Sequence, residues 1–312
     1  MEQMSLFPDA ATGFFSFKAA ALSPDEAFKS AGLDFEVSLS KLKTEGDVTV
    51  PDYRAVVRKD KGKDTILGIV GSRYSIIQNR EAFDLFKEIL KETRAELTEL
   101  GHRAGGAHVW FLAKLPQAIK IAEGDTLERY FFLCNYHDGS GALKLIAVPK
   151  RIICENMLTP PLRKLADKAT VFHLPSKDRY FEELKRIVAN MGKYFNEFDR
   201  CAMKMAEKTL EKKDVERYLE RIFLPEKERL SARQQKGAEE RMKKAAALYE
   251  KNPANTFKSV KGTLWALYNA VTQYVDHERT PQSGGQKAAF TWFGEGARLK
   301  SLALEEALKQ LN

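Results

Sequence analysis

From Phe35 onward, apolar and polar residues alternate with period two. Phe35, Val37 and Leu39 set the pattern, Val48 and Val50 repeat it, and residues 53–58 form a further strand candidate. Alternation of this kind puts one set of side chains on each face of a sheet. A polar turn, Lys59-Asp60-Lys61-Gly62-Lys63-Asp64, separates the last run from Ile66-Leu67-Gly68-Ile69-Val70, and the two runs read as a hairpin. Asn79 then stands as an N-cap before Phe83, Phe86, Ile89 and Leu90, which share one helical face. A second strand series follows at 95–100, 107–115, 118–121, 130–135 and 142–153. Asp138-Gly139-Ser140-Gly141 joins its last two members as a hairpin.

Beyond Pro175 the period becomes helical. Phe181, Leu184, Val188, Met191, Phe195 and Phe198 recur at three and four and predict one apolar stripe. Tyr218, Leu219 and Phe223 extend the pattern to a stop at Pro225. A charged, helix-forming stretch over 226–251 ends at Asn252-Pro253. Thr256 is placed to cap a helix carrying Val260, Leu264, Trp265, Leu267, Tyr268 and Val271, and a final helix covers 296–311. Short apolar pairs such as Phe14-Phe15 keep no lasting period, so residues 1–33 read as a loosely held segment. Ser23-Pro24-Asp25-Glu26 caps one short helix there. The expected class is therefore α+β. Residues 34–175 form a twisted antiparallel sheet, built as hairpin, helix and β-meander with the helix packed on it, and 176–312 form a helical domain.

Composition narrows the function classes. With 312 residues and 44% hydrophobic content the chain can bury a sizeable core. Lys and Arg number 51 against 43 Asp and Glu, a net charge of +8 that suits polyanion binding. The three cysteines, Cys134, Cys154 and Cys201, are odd in number and widely spaced, which argues against a disulfide framework or structural zinc and for a reducing cytosol. An acidic start without an apolar core is no signal peptide, and no run is long enough to span a bilayer. The expected location is cytoplasmic, away from membranes.

Three segments carry a family likeness. They are Gly71-Ser72-Arg73-Tyr74-Ser75-Ile76-Ile77-Gln78-Asn79-Arg80-Glu81-Ala82-Phe83, the pair His137-Asp138-Gly139-Ser140-Gly141-Ala142 and Pro149-Lys150-Arg151-Ile152-Ile153-Cys154-Glu155-Asn156, and Trp292-Phe293-Gly294-Glu295-Gly296. In this order and spacing the chain resembles the phage/plasmid-like protein family, whose domain is one of unknown function. The resemblance covers most of the chain after residue 34 and implies a phage, plasmid or integrated element as source, with no activity attached. The architecture also resembles the core of phage single-strand annealing proteins of the RecT and Erf kind, which form rings or filaments around single-stranded DNA. That likeness is one of fold alone.

The richest candidate chemistry is the segment 144–168, where Lys144, Lys150, Arg151, Arg163, Lys164 and Lys168 outnumber Glu155 and Asp167 for a local net of +4. Clustered cations can track a phosphate backbone, and Tyr136 and His137 nearby offer planes for stacked bases. Arg73 and Tyr74, with Asn79 and Arg80, occupy the strand-to-helix junction, where a helix N-terminus favours anions. Each group also has a purely structural reading: a solvated charged edge, a helix cap, a core tyrosine. No catalytic motif stands out. There is no G-x-S-x-G elbow and no phosphate-binding G-x-x-x-x-G-K-[ST] loop, and Cys154 reads as a small buried hydrophobe. The histidines lack H-x-x-x-H or H-x-H spacing, so no metal or other cofactor is expected. In the C-terminal motif, Gly294 and Gly296 permit tight turns while Trp292 and Phe293 plug the helical half against the sheet. Alternatively, Trp292 is displayed beside Arg298 and Lys300 to a second subunit or a base.

The leading expectation is a homo-oligomeric protein that binds single-stranded DNA, or RNA, without catalysis and promotes annealing or recombination. Its contacts would be Arg73, Tyr74, Tyr136, His137, Lys144, Lys150, Arg151, Arg163 and Lys164. Two alternatives stand beside it: an interaction protein that binds a host protein, and a metal-dependent nuclease using His137 and Asp138.

Overall fold

The computed structural model describes residues 15–59, 64–141, 143–154, 177–225, 227–279, 290 and 294–311. Antiparallel strands fill the first half and helices the second, as the change of period predicts. The strands divide between two sheets where one was expected. Strands β1 (Phe15–Lys18), β5 (Glu96–Arg103), β6 (His108–Ala122), β7 (Asp125–Tyr136) and β8 (Lys144–Arg151) lie in that spatial order. Strands β2 (Glu36–Lys43), β3 (Thr49–Lys59) and β4 (Thr65–Gly71) make a separate sheet of three. The two strand candidates at 107–115 and 118–121 are one strand, β6, whose register slips between Lys114 and Ala118. Pro116 lies inside that slip, where a residue without an N–H costs no ladder bond.

One face of the large sheet carries the first core. Val109, Phe111, Ala113, Phe131, Leu133, Leu145 and Ala147 are buried there. Helix α2 (Asn79–Thr93) packs on them with Phe83, Phe86 and Ile89, the stripe that the sequence pattern predicts, and helix α3 (Lys177–Glu207) adds Ile187, Met191 and Phe195. The segment 15–33 is not loosely held. β1 pairs with β5, and helix α1 (Pro24–Ser30) is closed by a capping box between Ser23 and Glu26. Phe28 of α1 is fully buried and stacks on Phe83 at 4.5 Å, and this packing outweighs the weak local pattern.

The helical half has its own core. Helices α4 (Lys212–Phe223), α5 (Ala232–Lys251), the single turn α6 (Pro253–Thr256), α7 (Leu264–Gln273) and α8 (Glu295–Leu311) gather Tyr218, Leu219, Phe223, Leu267, Val271, Leu299 and Ala303. The first nine residues of α7, Leu264 to Thr272, are all buried, as befits a helix surrounded by others. Two caps differ from expectation. α7 begins behind Thr263, whose hydroxyl accepts from the Ala266 amide, while Thr256 ends α6, which is capped by Asn252. α2 begins behind Gln78, which frees Asn79 for a buried role.

Candidate nucleic-acid interface

The candidate site is organised by the β7–β8 turn. Asp138 accepts from the Ser140 amide at 2.9 Å and the Ser140 hydroxyl at 2.6 Å, the local bonding that favours Asp in turns. Its other oxygen meets His108 Nε2 at 2.6 Å. Burial alone would raise the Asp138 carboxyl. The hydrogen bonds from His108 and Ser140 outweigh it and hold the group well below the usual carboxylate range. The turn lies directly against β4, and this is possible because residue 68 is glycine. A Cβ on Gly68 would sit 2.4 Å from the Asp138 Cα. The two sheets therefore meet where their turns and strand ends converge.

Four of the predicted residues come together at this junction. The Tyr74 hydroxyl donates to the Tyr136 carbonyl at 3.0 Å. Lys144 holds its ammonium 5.0 Å from the Tyr136 ring centre, a cation–π contact across the β7–β8 hairpin. The His108 ring lies 4.7 Å from the same ring, and Gly141 packs on it so closely that a Cβ there would be 3.0 Å away. Arg73, next to Tyr74, is exposed. Among the described residues neither Arg73 nor Lys144 has a carboxylate within salt-bridge distance.

Behind this rim the chemistry is inert. Burial pushes the Cys134 thiol up to about 12, so it stays protonated at neutral pH and is no nucleophile. Burial raises the Tyr136 phenol as well, reinforced by the adjacent Cys134. Arg103 bears electrostatically on both groups and lies opposite His108 in the β5–β6 register. Sequence reasoning missed Arg103. The strand pairing that brings it to the site is the only signal that would find it.

Lys150 sits at the opposite end of β8, opposite Glu128. It and Lys18 both bear on Glu99, whose carboxyl is raised by burial and only partly offset by a bond from Ser16 and by these two lysines. Lys150 thus extends the cationic side of the sheet but is not part of the junction.

Two assignments are overturned. Arg151 is fully buried and cannot reach a phosphate. Its Nε lies 2.9 Å from both Asp125 oxygens, and its Nη2 donates to Asp125 at 2.7 Å and to the Ala254 carbonyl at 2.7 Å. Nη1 donates to Asn255 at 2.8 Å, and Trp265 Nε1 donates to Asp125 at 2.8 Å. Arg151 therefore ties the large sheet to the helical half. His137 is also fully buried: its Nε2 lies 2.8 Å from Asn79 Oδ1, while Asn79 Nδ2 donates to the Leu33 carbonyl. It joins β7 to the start of α2 and offers no face to a base. His137 and Asp138, the pair named for the nuclease alternative, engage different partners, Asn79 and His108.

The anion site proposed at the start of α2 is already satisfied. Arg80 donates to Asp25 of the α1 first turn at 2.6 Å and lies over the Phe28 ring at 4.2 Å. Arg163, Lys164, Lys168, Trp292 and Phe293 lie outside the described residues. Of the C-terminal motif, Gly296 is packed so tightly that a Cβ would be 2.8 Å from Phe290 and 2.9 Å from Val275. Lys300 is buried and donates to Asp276 at 2.9 Å, so it is not displayed.

A model of a family described as a domain of unknown function, DUF932, matches residues 66–303. The chain belongs to this family. The DUF932 match runs from β4 into α8, so it takes in Arg73, Tyr74, Arg103, Tyr136 and Lys144, and it leaves α1, β2 and β3 outside. No curated protein and no solved structure matches the chain. Among the described residues no group of three or more His, Cys, Asp or Glu side chains is placed to hold a metal ion. Among the same residues, no helix is long and apolar enough to cross a membrane.

Proposed function

We propose that this DUF932 protein binds single-stranded nucleic acid, DNA in the first instance, and does so without catalysing a reaction. The observation that carries the reading is the convergence of Arg73, Tyr74, Tyr136 and Lys144 at one end of two sheets, with both cations free of carboxylate partners among the described residues. Phosphates would lie on Arg73 and Lys144 and continue towards Lys150 and Lys18. The two tyrosines contribute differently from free stacking platforms. Tyr136 is wedged among His108, Gly141 and Lys144 and steers the Lys144 ammonium, while Tyr74 keeps its ring half-exposed. Binding is then mostly electrostatic and tolerant of sequence. The motif resemblance supports a phage, plasmid or integrated element as source, where annealing of complementary strands by an assembly of copies is the role we favour.

The test is fluorescence anisotropy of a labelled thymine oligonucleotide, as DNA and as its RNA counterpart, at low and moderate salt. Salt-sensitive binding is expected, and Arg73→Glu with Lys144→Glu should weaken it by about tenfold or more. Each phosphate contact removed should lower the slope of log K against log salt by about 0.7. A matched charge reversal in the helical half, Lys251→Glu, should change little. Absence of binding at low salt, or equal losses for both variants, would refute the assignment.

A further inference from the structure

We propose that two copies of this chain associate through strand β4, which pairs antiparallel with itself across a two-fold axis and joins the two small sheets into one of six strands. Four strands stand at sheet edges, and three carry the usual protection. β1 has Lys18, β8 has Lys144, Pro149 and Lys150, and β2 has Glu36, Lys41 and Lys43. β4, Thr-Ile-Leu-Gly-Ile-Val-Gly, has no charge and no proline. An edge of that composition is open to pairing with another strand. Its outward side chains are also among the most exposed large hydrophobics of the described molecule, with Ile66 at 66% and Ile69 at 59%.

The occupant is decided by the pattern of faces along the strand. Ile69 lies opposite Ala55 and Ile66 opposite Val57, whereas Gly68, Val70 and Thr65 lie opposite Val56, Arg54 and Arg58 on the inner side. The register shift inserts Leu67, which is buried, beside Gly68. From Thr65 to Val70 the side chains therefore read in, out, in, in, out, in. That order is the same in both directions. Residues opposite each other in an antiparallel pair share a face. A second β4 therefore fits with Ile66 against Ile69, Leu67 against Gly68 and Thr65 against Val70, twice over, which is the self-complementarity an isologous dimer needs.

Backbone polarity agrees. The Ser72 amide donates to the Asp52 carbonyl at 2.8 Å, which sets the alternation of the β3–β4 ladder. Counting back by two from this pair, Val70 and Gly68 bond to β3, and Ile69 turns its N–H and C=O to the outer edge. The same count continued past the bulge turns Ile66 outward too.

The decisive experiment uses the full chain with Ile66→Cys and Ile69→Cys together. Within one chain these positions are about 10 Å apart along the strand, too far for a disulfide, whereas in the dimer each faces the other's partner. Mild oxidation should give a covalent dimer for the double variant and none for the native chain or for Ile66→Cys alone. Light scattering after size exclusion should give an even-numbered assembly for the native chain, reduced to a monomer by Ile69→Lys with its circular dichroism unchanged. A native monomer at tens of micromolar, or an Ile69→Lys chain of native mass, would overturn the proposal. So would a double-cysteine variant that oxidises without crosslinking. Lys144→Glu should keep the native mass, so failure here and failure of the nucleic-acid reading are separable.

Discussion

Replacing Arg151 with alanine tests the reassignment of that residue from the surface to the interior. The side chain is fully buried, and three of its partners are buried with it: the Asp125 carboxylate, the Asn255 side-chain oxygen and the Ala254 carbonyl. Among the described residues, truncation leaves Asp125 as an interior charge held by the indole N–H of Trp265 alone, and leaves the Asn255 side-chain oxygen and the Ala254 carbonyl without the guanidinium donor. An uncompensated buried ion costs about 3–5 kcal/mol, and each orphaned neutral acceptor adds roughly 1 kcal/mol or more where water cannot enter. With a urea dependence of about 3 kcal/mol/M for a chain of this size, the unfolding midpoint should fall by about 2 M. The assay is urea unfolding followed by tryptophan fluorescence, to which the buried Trp265 contributes. Exchanging both partners, Asp125→Leu with Arg151→Met, removes the charges together and should recover most of the loss. A shift below about 0.3 M for Arg151→Ala would refute the buried-latch argument, since a solvent-facing arginine costs little on truncation. So would a double variant as unstable as the two single losses combined.

Further outcomes follow from the junction. Gly68→Ala should destabilise by about 2–4 kcal/mol, because its Cβ meets backbone atoms of Asp138, which cannot swing away like a side chain; a midpoint within error of native would show that the two sheets are not locked there. The Asp138 carboxyl is held below its ordinary value, so its contribution to stability is fully present above about pH 5 and is lost as pH falls through the folded-state value. Asp138→Asn should flatten the acid side of a melting-temperature profile, and an unchanged profile would count against the His108–Asp138 bond. Glu99 shifts the other way: its carboxyl is raised by burial, so ionisation opposes folding as pH rises past the normal glutamate range. Glu99→Gln should therefore raise the melting temperature at pH 7 and leave it nearly unchanged at pH 4, as scanning calorimetry would detect.

Local pattern carried most of the secondary structure. The stripe of Phe83, Phe86 and Ile89, the hairpin at Asp138-Gly139-Ser140-Gly141 and the apolar face ending in Phe195 and Phe198 need only periodicity and turn chemistry, which neighbours in sequence supply. α1 was half visible, since Ser23 and Glu26 signal a cap while the apolar residues around them keep no period. The site was readable only as a list of cations and tyrosines. Tyr74 and Tyr136 are 62 residues apart, and nothing local says that one hydroxyl reaches the other's backbone.

Sequence alone determined the order of strands and helices, the class of fold and the excess of positive charge, because these depend on side-chain chemistry at fixed spacing. Tertiary structure decided which charges face water. Lys150 and Arg151 are adjacent in the chain, yet strand alternation leaves one half-exposed beside Glu128 and sends the other into the seam with the helical half. Only there do Asp125, Asn255 and Trp265, drawn from distant segments, make a buried guanidinium affordable. The same holds for His137 and for the inward and outward order along β4: alternation and a single bulge set them, and both depend on which strand lies alongside.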